Sequence, residues 1–164
     1  MTYTADPGMI VGHAHLRVSD MERSIAFYRD VMGFDLTQRY GTQAAFLSAG
    51  GYHHHLGLNT WESRGGTRPP AGTTGLYHVA YLFPDRLALG RAVANVVDRG
   101  VTLTGAADHG VSEAVYFDDP DGNGIELYRD RPRAEWPRDA DGQIKMVNAP
   151  LDIPRLIAEA RAST

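Results

Sequence analysis

The chain has 164 residues, 43% of them apolar and 22% charged, which suits one globular domain or two small halves sharing a core. Its net charge of −4 gives no general attraction to nucleic acid or anionic lipid, and no apolar run approaches the ~20 residues of a membrane span. It has no cysteine, which excludes disulfides, thiolate metal sites and Cys nucleophiles, so any metal must be held by histidine and carboxylate.

Residues 1–8 read as a loose leader without the basic and apolar regions of a signal peptide, and a cytoplasmic protein is the expectation. Ile10 to Ser19 predicts a strand, with Ala14, Leu16 and Val18 on one face and His13, His15 and Arg17 on the other. Ser19-Asp20-Met21-Glu22 has capping-box spacing and predicts a helix start. Met21, Ile25, Phe27, Tyr28, Val31 and Met32 give that helix an apolar side, and Gly33 ends it. Short strands are expected near Phe34–Arg39, Gln43–Ser48 and His53–Asn59. Residues 60–75, with Gly65-Gly66 and Pro69-Pro70, read as a long loop and a module boundary.

The second half repeats the plan. Leu76–Phe83 predicts a strand, and Pro84-Asp85 opens a helix carrying Leu87, Leu89, Val93, Val96 and Val97 and closed by Gly100. Val101–Thr104 and Glu113–Asp118 predict strands. The turn Asp119-Pro120-Asp121-Gly122-Asn123-Gly124 then runs into a last strand, Ile125-Glu126-Leu127-Tyr128. Both halves read strand, helix, strand, strand, strand, a pattern that points to duplication. The expected fold is α+β: two paired βαβββ modules forming a cup-shaped mixed sheet with helices outside. The modules span 9–61 and 76–130, joined by a connecting loop at 62–75. A C-terminal tail, 131–164, follows, with a short helix at Ile153–Ala162 and Trp136 as an anchor.

Strand parity selects the polar side chains that face the cup. Glu126 lies opposite Ile125 and Leu127, and His13 opposite Ala14 and Leu16. In Tyr52-His53-His54-His55-Leu56, parity puts His53 and His55 away from the leucines and His54 toward them, although three histidines in a row leave open which one acts. His13 and His78 hold equivalent positions in the two halves, and His55 and Glu126 are expected to do the same. A lone strand carboxylate is most often solvated and a lone strand histidine seldom a ligand. Four matched positions in a duplicated frame are harder to ascribe to chance. His15 is offset from the symmetric position and reads as a residue behind the site or a structural one, and His54 reads as structural.

At these residues the chain resembles the vicinal oxygen chelate superfamily of glyoxalase, bleomycin-resistance and extradiol dioxygenase proteins, and within it the catechol 2,3-dioxygenase group. The resemblance is carried by Gly12-His13-Ala14-His15-Leu16-Arg17-Val18-Ser19-Asp20, by Ser24-Ile25-Ala26-Phe27-Tyr28 and by Gly51-Tyr52-His53-His54-His55-Leu56-Gly57-Leu58-Asn59. Gly75-Leu76-Tyr77-His78 and Asp108-His109-Gly110-Val111-Ser112-Glu113-Ala114 carry it further, so that it covers most of residues 10–140. It implies a divalent metal, iron(II) first with Mn(II), Zn(II) or Ni(II) as alternatives, held by His13, His78 and Glu126. It implies His55 as acid–base, Tyr116 on the substrate oxygen and His109 as a further substrate-side residue. The activity implied is ring cleavage of a catechol-type aromatic by dioxygen, in a cytoplasmic homodimer with no nucleic-acid or membrane partner. The resemblance also allows a glyoxalase-like isomerase or lyase, which typically uses four protein ligands, and a non-catalytic resistance-type binding protein.

Overall fold

The structure is a computed structural model that describes residues 2–163; Met1 of the expected leader and Thr164 of the expected tail lie outside the described residues. The chain forms two compact units, one running through Thr67 and the other beginning at Arg68.

In the first unit β1 (Ala14–Arg17) leads to α1 (Met21–Asp30), followed by β2 (Asp35–Tyr40), β3 (Ala44–Ser48) and β4 (Leu56–Asn59). The sheet order is β1-β4-β3-β2, with β1 parallel to β4 and the other pairs antiparallel. Helix α1 lies against β2, β3 and β4. Met21, Ile25 and Tyr28 are buried with Leu16, Val18, Leu47, Leu56 and Leu58. The helix start differs from the capping box in the sequence. Asp20 is the N-cap and accepts the Arg23 amide at 3.0 Å, while Glu22 turns away to a two-pronged pair with Arg39 at 2.6 and 2.8 Å. A charge-assisted fork outcompetes a weaker return bond to the helix start.

The second unit repeats the architecture. β5 (His78–Leu82), α2 (Arg86–Asp98), β6 (Leu103–Asp108), β7 (Ser112–Asp118) and β8 (Gly124–Asp130) give the order β5-β8-β7-β6, again with one parallel pair. After a 3-10 turn at Arg133–Glu135 the tail ends in α3 (Ile153–Ala162), which docks on α2 through the fully buried Leu156 and Ala160. Gly90 makes that approach close: a Cβ there would stand 2.7 Å from the Leu156 carbonyl oxygen. The Trp136 indole N–H donates to the Arg131 carbonyl at 2.8 Å, a bond within the tail itself.

The internal registers match strand for strand. Asp20 and Asp85 cap the two helices, so Ala14 corresponds to Val79; Ala14 pairs with Leu56 and Val79 with Ile125. The antiparallel pairs agree, Phe46 opposite Gly57 and Tyr116 opposite Glu126. Each module also carries its bulge at a threonine, Thr37 between Leu36 and Gln38 and Thr104 between Leu103 and Gly105. A shared irregularity in the same place is strong evidence of duplication, since bulges are specific local features.

Three strands are shorter than expected by more than a residue, β5 among them, which runs only from His78 to Leu82. β1 begins at Ala14, leaving His13 just ahead of it, and β4 begins at Leu56, leaving all three loop histidines outside. The His53 carbonyl is taken by the Thr37 hydroxyl at 3.0 Å. Alternation therefore does not govern where His53 and His54 point.

Candidate metal and substrate site

The second unit gathers four of the expected site residues. His78 opens β5, and Glu126 is the third residue of β8, paired with Ala80 two places further along. His78 Nε2 and Glu126 Oε2 stand 2.9 Å apart. The Tyr116 hydroxyl, on β7 directly opposite Glu126, lies 3.3 Å from Oε1, and His109 Nε2 lies 3.0 Å from that hydroxyl. The four form one polar line, His78–Glu126–Tyr116–His109. Burial and then the Glu126 carboxylate push the Tyr116 phenol up to about 12, so it remains a hydroxyl donor across the physiological range. Beside the line is a cavity of about 480 Å³, lined by Tyr77, His78, Thr104, Gly105, Tyr116 and Phe117 among others, a volume that suits a small organic ligand.

The turn before β8 is rigidly made. Asp119, 4% exposed, accepts the amides of Asp121 and Asn123 at 2.9 and 2.8 Å and the Asn123 side chain at 2.9 Å. Gly124 then passes so close to β5 that a Cβ would stand 2.1 Å from the Tyr77 carbonyl oxygen and 3.1 Å from the His78 Cβ. This close passage is what lets His78 and Glu126 meet.

The remaining candidates lie in the first unit. His13 is exposed, and its ring packs against His54 with centroids 4.5 Å apart. His55 instead turns to Ser48, with Nδ1 3.0 Å from the hydroxyl, and stacks on Phe34. Burial, and then the neighbouring His13, hold both His15 and His54 below the ordinary imidazole value. His54, which the strand pattern marks as structural, is therefore the loop histidine beside His13.

Register corrects one further expectation. With Ala14 matched to Val79 and Leu56 to Ile125, the first-module counterpart of Glu126 is Gly57, not His55. His15 lies over Gly57, where a Cβ would be 2.8 Å from its Nδ1. His55 shares the parity of Gly57 but lies two residues before it, so the error is one of register, which alternation does not fix.

The donors present fit a divalent cation. Two donors at right angles around one cation, each ~2.1 Å from it, stand about 3 Å apart, as His78 Nε2 and Glu126 Oε2 do. The other nitrogen of His78, Nδ1, is buried with no hydrogen-bond partner. Among the described residues, no three histidine or carboxylate side chains converge on one point.

Comparison with known proteins gives the relationship. A catechol-2,3-dioxygenase of Bacillus subtilis (strain 168) is 44% identical over 150 residues, covering 92% of this chain and 52% of its own length. Biphenyl-2,3-diol 1,2-dioxygenase 3 of Rhodococcus globerulus is 28% identical over 120 residues, covering 73% of this chain and 63% of its own. The chain thus spans about half the length of the first and less than two-thirds of the second. Among solved structures, a glyoxalase/dioxygenase from Nostoc punctiforme matches with a TM-score of 0.64 at 24% identity, covering 80% of this chain and 99% of that one. A family model matches residues 10–127, and the chain belongs to the Glyoxalase/Bleomycin resistance protein/Dioxygenase superfamily.

Proposed function

We propose that the protein is an extradiol ring-cleaving dioxygenase acting on a catechol-type aromatic, with His13, His78 and Glu126 as ligands to one divalent cation, iron(II) first among the candidates. The observation that carries this reading is the 2.9 Å juxtaposition of His78 and Glu126, with Tyr116 at 3.3 Å, beside a cavity of about 480 Å³. The similarity to the Bacillus subtilis catechol-2,3-dioxygenase supports it.

Two histidines and one carboxylate leave adjacent coordination positions open, so a bound cation supplies Lewis acidity toward two neighbouring oxygens of an aromatic diol. The chain's own residues do the rest. The Tyr116 hydroxyl donates a hydrogen bond to the substrate oxygen as negative charge gathers there. A loop histidine takes the diol proton and returns one later; we assign this to His55, with His54 as its rival because it neighbours His13. The Tyr77 ring gives the cavity an apolar wall for an aromatic ring. The reading extends to a cytoplasmic homodimer that takes up a small aromatic and dioxygen.

The lyase alternative is disfavoured by Gly57. A fourth, symmetric protein ligand would stand at the counterpart of Glu126, and glycine has no side chain to offer there. The test is oxygen uptake on a panel of catechols by protein purified anaerobically and loaded with iron(II). Uptake at one oxygen per diol with a ring-opened product supports the reading; iron binding with no uptake on any vicinal diol contradicts it. Replacing His54 and His55 singly by Ala assigns the acid–base: that variant should keep its metal and lose turnover.

A further inference from the structure

The hairpin that carries His109 is closed from outside by the C-terminal tail. The Val147 amide donates to the His109 carbonyl at 3.0 Å, and Asp108 and Ala149 exchange both backbone bonds at 2.8 and 2.9 Å. Gly110, in the left-handed region at φ 75°, lets the tail settle on the turn: a Cβ there would stand 2.8 Å from Pro137 and 3.1 Å from Val147. Inside the hairpin, Asp108 accepts the Gly110 amide at 2.8 Å and pairs with Arg131.

The tail thereby presents one particular atom to the site. His109 Nδ1 lies 3.1 Å from the Val147 carbonyl oxygen. A carbonyl only accepts, so Nδ1 must carry the proton. In the neutral ring Nε2 is then bare and accepts from the Tyr116 hydroxyl, 3.0 Å away. A phenol has one proton, so before substrate binds Tyr116 cannot also give it to Glu126 Oε1 at 3.3 Å, and it turns to the substrate oxygen only once one is bound. We propose that the tail segment at Val147–Ala149 is a positioning element of the site: the Val147 carbonyl fixes His109 as its Nδ1–H tautomer, which turns the Tyr116 proton away from Glu126 and leaves that carboxylate free to hold a cation.

The link to a cation rests on the metal-site reading above, but the tautomer does not, and the test keeps them apart. Long-range nitrogen–proton correlation spectra of the metal-free full chain, at a pH where the imidazole is neutral, report which ring nitrogen of His109 is protonated. The expected spectrum has Nδ1 protonated and Nε2 bare. Ala149→Pro removes the N–H that donates to Asp108 and loosens the tail. In that variant the Nε2–H form should gain population, and turnover by the iron-loaded enzyme should fall about tenfold, as when a partner behind a site residue is lost. A wild-type spectrum with Nε2–H, or a folded Ala149→Pro variant with an unchanged tautomer, overturns the proposal. If Ala149→Pro does not fold, the wild-type spectrum decides alone. Wild-type protein with the Nδ1–H form but no metal binding or ring cleavage would sustain the positioning and overturn the dioxygenase reading.

Discussion

A methyl group at Gly124 would meet the Tyr77 carbonyl oxygen at 2.1 Å, so this glycine is needed for space rather than for an unusual backbone angle. Gly124→Ala must push β8 from β5 where His78 meets Glu126. It should cost about 1–3 kcal/mol in a denaturant melt and weaken metal binding while far-UV circular dichroism is retained. Tyr116 has a different role, because it binds through a donated proton and does not hold metal in this account. Tyr116→Phe should keep the wild-type metal content and lower kcat about 10²-fold, the usual effect of deleting one donor aimed at developing charge. The two variants therefore fail differently, one in metal titration and one in steady-state kinetics. At this scale the sequence was legible where a residue sits in a true strand. Glu126 on the face away from Ile125 and Leu127 follows from alternation, whereas the pairing of Tyr116 with Glu126 is a matter of register that alternation does not give. The loop histidines were not legible, since His53 to His55 precede β4 and their directions are set by Ser48, Phe34 and His13, each distant in sequence from them except Ser48.

Helix α3 shows what the local pattern conveys and what it leaves out. Its limits, Ile153–Ala162, are those the sequence predicts, because Asp152 caps it and accepts the Arg155 amide at 2.9 Å and its apolar residues recur at helical spacing. Its docking partner was not legible, because the receiving surface is a glycine. A Cβ at Gly90 would stand 2.7 Å from the Leu156 carbonyl oxygen and 2.8 Å from the Ala160 Cβ. Gly90→Val should therefore lift α3 from α2 and destabilise the second unit by about 1–3 kcal/mol, with hydrogen exchange rising first along α3. The docking of the tail segment at Val147–Ala149 is not legible for a related reason. It is held by backbone bonds to the β6–β7 hairpin, and such bonds leave no signature in side-chain pattern.

Across the whole chain, the duplicated register makes the departures from symmetry informative: Glu126 and Tyr116 in the second module correspond to Gly57 and Phe46 in the first, so these two polar side chains have no polar counterpart in the other copy of the repeat. That second unit also holds a concentrated charge cluster. Glu113, 3% exposed, accepts from Arg86, from Arg129 at 2.8 Å and from Arg131 at 3.2 Å, and Arg86 continues to Glu159 of α3 at 2.7 Å. Burial opposes ionisation of Glu113, but the arginines outweigh it and hold the carboxyl below its ordinary value of 4.5. A carboxyl depressed in the folded state adds stability that is complete above its unfolded pKa and is lost as pH falls through the folded one. Acid melts should therefore lose stability below about pH 4.5. In Glu113→Gln that part of the loss should be absent, alongside a lower stability at neutral pH. Glu113→Ala should cost about 1–3 kcal/mol there, since it takes a charged partner from half-buried guanidinium groups. The central claim is that His78 and Glu126 belong to one cation site, and iron(II) titration of anaerobically purified protein tests it most directly. The account predicts about one iron per wild-type chain and a loss of affinity of at least tenfold in His78→Ala and in Glu126→Gln. Equal iron binding by the wild type and both variants would contradict it.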